Sequence, residues 1–219
     1  MKPDQTHSPI SSLKKQAKTL FKKLNEKDAE SLREIQSLFS NIEHPQLMHC
    51  QHAIAVRYGF KKWGDIVLST PTQLSLAITM YKIPLLTAFG IGIYNGHDWS
   101  EHPTKERWKE KEAQLQDGRQ DLRNNHKAVE STIKWLESNA IKIKTLNRNY
   151  SSYSYKHFIE HHVGYITNGV FIAAAIIAGF PYKINPADPN VEFGISEKSV
   201  KKWNKNLNNT KKKIKRLTS

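Results

Sequence analysis

The chain has 219 residues, with 34 lysines and arginines against 20 aspartates and glutamates, a formal net charge of +14. That length allows one or two domains with a packed core, and the single cysteine, Cys50, excludes a disulfide scaffold and a cysteine-built zinc cluster. The excess of positive charge favours a polyanionic partner: nucleic acid, an acidic membrane or an acidic protein.

Met1 to Ser8 is polar and lacks an apolar run, so it does not read as a signal peptide. A first helix follows, with Ser11 or Ser12 as its cap and Ile10, Leu13, Ala17, Leu20, Phe21 and Leu24 on one face. The other face carries Lys14, Lys15, Lys18, Lys22, Lys23 and Lys27. Such a face is either ordinary solvated surface or a phosphate-facing stripe. Asp28 caps a second helix over Ala29–Phe39, with Leu32, Ile35 and Leu38 or Phe39 inward. Pro45 opens a third, carrying Leu47, Met48, Ala53, Ile54 and Ala55, and Gly59 ends it. Phe60 and Trp63 fold back as apolar anchors, and Asp65 to Leu68 add a helical turn. His44, His49 and His52 lie close in sequence without a further ligand, and no metal is assigned to them.

The segments "LKKQAKTLFKKLNEKDAESL" and "LMHCQHAIAVRYGFKKW" resemble a short helical module that precedes ankyrin repeats and glyoxalase-like domains in bacteria. The resemblance covers about residues 11–68. It implies a helical fold and assigns no chemistry. No repeat period near 33 follows, so the ankyrin array is not expected.

Leu74 to Tyr94 is the most apolar stretch, but Lys82 and Pro84 interrupt it. It therefore reads as two buried segments meeting at Pro84, and no membrane span is expected. Thr104 to Ser138 reads as one or two long helices, with Ser100 or Thr104 as cap. Trp108, Leu115, Leu122, Val129 and Leu136 recur every seven residues, but no second apolar stripe accompanies them. The single stripe packs on one side and leaves room for a homodimer contact.

A mixture of cations, hydroxyls and rings comes next: Arg148, Tyr150, Ser151, Ser152, Tyr153, Tyr155 and Lys156. It suits phosphate and stacking contacts, and equally a helix start with buried tyrosines. The helix it opens ends near His162, and Gly164 breaks it. His157, Glu160 and His161 match H-x-x-E-H, a zinc-hydrolase pattern, kept as an alternative with Glu192 or Glu197 as the candidate third ligand. Thr167 caps Asn168–Ala178, which is apolar all round and so belongs to the core; a DNA-reading helix needs polar side chains toward the groove. Tyr182–Ile184 and Val191–Ile195 flank a Pro/Asn-rich loop and predict a small hairpin.

The segment "IKTLNRNYSSYSYKHFIEHHVGYITNGVFIAAAIIAGF", continuing to "PNVEFGIS", resembles uncharacterised proteins of bacterial plasmids and integrative elements. The resemblance covers about residues 140–197 and implies a mobile-element setting.

From Lys198 to Ser219 the chain carries nine basic residues and no acidic one. They are Lys198, Lys201, Lys202, Lys205, Lys211, Lys212, Lys213, Lys215 and Arg216. Such a block is a solvated tail or an arm laid on polyanion. Trp203 inside it either stacks on a base or pins the tail to the globule.

The sequence thus predicts a mainly α protein: a helical module over 1–70, a larger helical domain with a hairpin over 71–197, and a basic tail over 198–219. The expected function is non-enzymatic binding of DNA or RNA in a bacterial cytoplasm, without cofactor, metal or catalytic residue. Lys14, Lys15, Lys18, Lys22, Arg148, Tyr153, Lys156 and the tail cations would make the contacts. The alternative is an anti-defence or accessory protein that binds a host-defence or mobile-element protein.

Overall fold

The computed structural model describes residues 9–40, 42–93 and 104–205. The chain divides into two compact units, Met1–Tyr81 and Lys82–Ser219. It is mainly helical, with one three-stranded antiparallel sheet.

The first unit contains α1 (Pro9–Asn25), α2 (Ala29–Leu38), α3 (Leu47–Arg57), α4 (Trp63–Leu68) and most of α5 (Pro71–Lys82). α1 starts two residues before Ser11, at Pro9, whose fixed φ and missing N–H suit a first helical position. Leu13 and Ala17 pack with Ile54, Ala55, Tyr58 and Ile66, and Leu20 and Leu24 pack with Ile35, Cys50 and Ala53. Asp28 caps α2 as expected, accepting from Ser31 N–H at 2.9 Å and from the Ser31 hydroxyl at 2.6 Å. Gly59 takes φ 78°, which lets Phe60 N–H reach Ala55 O and Gly59 N–H reach Val56 O, closing the end of α3. Arg57 binds both oxygens of Glu34, at 2.5 and 2.7 Å, and so ties α3 to α2. The inward face of α3 is filled by Cys50, Ala53, Ile54 and Ala55, and Met48 is 63% exposed. Leu74 and Ala77 of α5 join the core of Leu13 and Ile54. This apolar contact carries the first unit to Tyr81, past the expected boundary near residue 70.

The second unit opens with a tight turn. Leu86 and Ile91 bridge across it, and Thr87 Oγ1 donates to Gly92 O at 2.7 Å. Ala88 then docks on two helices, its N–H on Gly118 O and its carbonyl on Gly169 N–H. Next come α6 (Lys105–Asn124) and α7 (His126–Asn139), so the long charged stretch is two helices. Thr104 caps α6, and Ser100 lies outside the described residues. Of the seven-residue stripe, Leu122, Val129 and Leu136 are fully buried, whereas Trp108 is 61% exposed. The stripe is therefore a contact only in its second half.

β1 (Lys142–Ser151), α8 (Ser152–Val163), α9 (Asn168–Ile177), β2 (Tyr182–Ile184) and β3 (Val191–Ile195) complete the core, followed by α10, the helical residues 197–205. β2 and β3 form the expected antiparallel pair. β1 is new: it adds to the other edge of β3, giving the order β1-β3-β2. Its alternation is obscured by two register shifts, one on each side of Asn147. Buried Asn147 donates from Nδ2 to Ile195 O at 3.1 Å. α9 is buried from Asn168 to Ala175, against α7, α8 and the sheet. Phe171 stacks on Tyr155 and meets Phe193 edge-on. Among the described residues no helix is long and apolar enough to cross a membrane.

Candidate nucleic-acid interface

Two lysine stripes stand on helices whose opposite faces are held in the core. In α1, Leu13, Ala17, Leu20 and Leu24 are buried, which turns Lys14, Lys15, Lys18 and Lys22 outward; all four are exposed. The helix has five lysines and no acidic residue of its own. Lys22 lies 3.7 Å from Glu26, an exposed pair of little energetic weight.

In α10, Val200 and Trp203 are buried at 0% and 1% exposure. Lys198, Lys201, Lys202 and Lys205 recur at helical spacing on the other side, and all are exposed. Trp203 donates from Nε1 to Asn139 O at 3.1 Å and packs against Trp135 and Tyr155. The ring thus pins the start of the basic block to the globule and is not available for base stacking. Lys211, Lys212, Lys213, Lys215 and Arg216 lie outside the described residues.

Arg148 is exposed on β1 and lines a cavity of about 390 Å³ with Lys183, Asp188, Asn190 and Glu192. The two acidic side chains there offset the two cations, so the cavity carries no net positive field of its own.

Tyr153 and Lys156 come together differently from a surface patch. Serial turns of α8 place Tyr153, Lys156, His157 and Glu160 side by side. Lys156 is 5% exposed, and its Nζ lies 2.8 Å from Glu160 Oε2. It is therefore not an open phosphate contact: α8 buries the stem, and the carboxylate answers the charge. Burial opposes ionisation of Glu160, but hydrogen bonds from Lys156 and His157 outweigh it and hold the carboxyl below its ordinary value. The Lys156 ammonium sits 5.5 Å from the Tyr153 ring centroid and 4.8 Å from that of Tyr165. Both rings are exposed, at 53% and 80%.

A cavity of about 510 Å³ opens beside this group, lined by Phe89, Tyr153, Lys156, Tyr165, Asn168 and Asn190, among others. Local sequence singles out Tyr153 and Lys156 but not Phe89, Tyr165 or Asn168 for this site. Those residues come from the turn before α6, the Gly164 break and the first position of α9, and only the fold assembles them. The one sequence signal is that Tyr165 and Asn168 fall within the segment of mobile-element resemblance.

The H-x-x-E-H residues do not converge. His157 Nδ1 lies 3.0 Å from Glu160 Oε1, and Lys156 holds the other carboxylate oxygen, while His161 is exposed. Among the described residues no three His, Cys, Asp or Glu side chains gather as a metal ion would require. His49 is engaged elsewhere, its Nδ1 accepting from Gln46 N–H at 2.9 Å and its ring against Phe39.

No protein-family model matches the chain, and neither the curated proteins nor the solved structures contain a significant match to it.

Proposed function

We propose that this protein binds nucleic acid without catalysing a reaction, holding the phosphate backbone with lysine stripes on α1 and α10. The observation that carries the reading is α10. Its four lysines lie on one exposed face, its one acidic residue, Glu197, is engaged by Tyr150 OH and Asn147 Nδ2, and Trp203 anchors the opposite face. A cationic stripe held on a packed helix meets a phosphate row with less ordering cost than a free tail does. The following cations, Lys211 to Arg216, extend the positive block in sequence. We place the protein in the bacterial cytoplasm as a mobile-element product, as the resemblance of residues 140–197 implies.

Fluorescence anisotropy with labelled duplex and single-stranded oligonucleotides, across a salt series, tests the reading. Binding should weaken steeply with salt. Replacing Lys198, Lys201, Lys202 and Lys205 together by Gln should flatten the log–log salt slope on duplex DNA, by up to about 0.9 for each phosphate that is no longer neutralised. Absence of binding at low salt for duplex and single strand alike would overturn it.

A further inference from the structure

Rings, amides and a paired ammonium surround the cavity at the start of α9, and this combination is not what a phosphate site needs. The N-terminus of α9 is already satisfied. Thr167 Oγ1 accepts from Val170 N–H at 3.3 Å, and Ala88 O accepts from Gly169 N–H at 2.9 Å. The Lys156 charge is met by Glu160 at 2.8 Å. The local field for an anion is thus largely spent.

What the walls offer is suited to a flat, neutral, hydrogen-bonding ring. Phe89, Tyr153 and Tyr165 are 40%, 53% and 80% exposed although each is aromatic, and all three line the same cavity. Lys156 has three donor hydrogens, and its ion pair with Glu160 occupies one direction. Asn168 is 6% exposed and is held by its Nδ2, which donates to Pro189 O at 3.3 Å and to Asn190 Oδ1 at 3.2 Å. Its Oδ1 is a buried acceptor with no hydrogen-bond partner among the described residues. An unmet acceptor of this kind is costly unless a donor reaches it. The asparagine is fixed by the backbone itself: a Cβ at Gly90 would meet Asn168 Nδ2 at 2.7 Å, so the glycine turn and the amide fit only each other.

We infer that this cavity takes one unstacked base of a bound single strand. The base face lies on Tyr165 or Tyr153, a base N–H answers Asn168 Oδ1, and a base acceptor faces the Lys156 ammonium. A duplex hides both the faces and these edges, so the cavity adds affinity for single strands only. The inference rests on the nucleic-acid reading above and divides its labour: lysine stripes hold phosphates, and the cavity holds a base.

The test compares a short single-stranded oligonucleotide with the same strand carrying abasic sites throughout, using full-length protein. The two have equal backbone charge, so their affinity ratio isolates the base. The base-bearing strand should bind about tenfold or more tightly, in line with the alanine cost of one stacked base. Tyr165→Ala should bring that ratio close to one, while duplex affinity and salt slope stay unchanged. Tyr165→Phe, which keeps the ring, should restore the ratio. Tyr165 is exposed, so neither variant threatens the fold; Tyr153→Ala, at a second exposed ring, should likewise bring the base-bearing to abasic ratio down. Equal affinity for base-bearing and abasic strands in the parent protein overturns the cavity and leaves phosphate binding standing. A ratio that survives both ring-to-alanine substitutions also overturns it. Loss of binding to every strand and duplex at low salt overturns both readings together.

Discussion

At the scale of single residues, Gly169 shows how closely the second unit is assembled. A Cβ there would run into the Thr87 carbonyl and lie 2.9 Å from Ala88 Cα. These are backbone atoms, which cannot rotate away. Gly169→Ala should lower stability by about 1–3 kcal/mol, read by urea unfolding, because the turn must leave α9. Cys50 is fully buried, and burial, then the charge of Glu34, push its thiol up to about 11. Its alkylation at pH 8 should therefore follow the opening of the first unit, slower in native than in urea-unfolded protein by at least about a hundredfold. The raised value also means stability that is present in full below about 9 and lost as pH rises through about 11. Glu160 has the opposite sign. Its depressed value gives stability that is complete above the ordinary 4.5 and is lost as pH falls through the folded value. Glu160→Gln strands Lys156, which is 5% exposed, and should cost about 3 kcal/mol at pH 7. That deficit should shrink between pH 5 and pH 3, because only the parent protein loses the carboxylate; denaturant titrations at the two pH values would show it.

At the scale of elements, what could be read in advance followed from local chemistry. Asp28, Thr104 and Thr167 were legible as caps because a short side-chain oxygen before an apolar run has few other uses, and each accepts from a backbone N–H three residues on. α9 was legible as core because no face of it is polar. β1 was not, because its two register shifts break the alternation that marks a strand, and the edge it joins comes more than 40 residues later. The cavity was not legible for a related reason: its walls come from residues 88–89, 153–168 and 189–190, and local spacing says nothing of such encounters. Gly118 read as a weak point in a helix; in the fold it is where Thr87 approaches, a Cβ there lying 3.1 Å from the threonine Cβ. α10 carries its own prediction. Trp203→Ala removes a ring that is 1% exposed and should cost about 3–5 kcal/mol. Trp203→Phe should cost less, since a smaller ring keeps part of the contact to Trp135 and Tyr155 while the hydrogen bond to Asn139 O and some buried volume go. Phosphate binding should weaken in step with stability if the stripe depends on that anchor.

At the scale of the whole chain, charge is concentrated in sequence: removing residues 198–219 leaves 25 basic against 20 acidic residues. A chain ending at Glu197 lacks α10 and the Trp203 anchor, so it confounds charge with folding; the four-Gln variant of α10 separates them. Order of synthesis is a further consequence of how the second unit closes. Its middle strand, β3, follows both α9 and β1 in the chain, and Trp203 seals the assembly against Asn139, 64 positions earlier. At about 5–20 residues per second, α9 waits roughly 1–5 s after its own completion before residue 203 has been made. During that interval α9, the most apolar of the described helices, can lie on α7 and α8 but lacks the Phe193 ring of β3 and the Trp203 seal. The nascent chain should then be a client for cellular holdases, and ribosome-stalled chains ending between α9 and β3 should crosslink to them while released full-length protein does not.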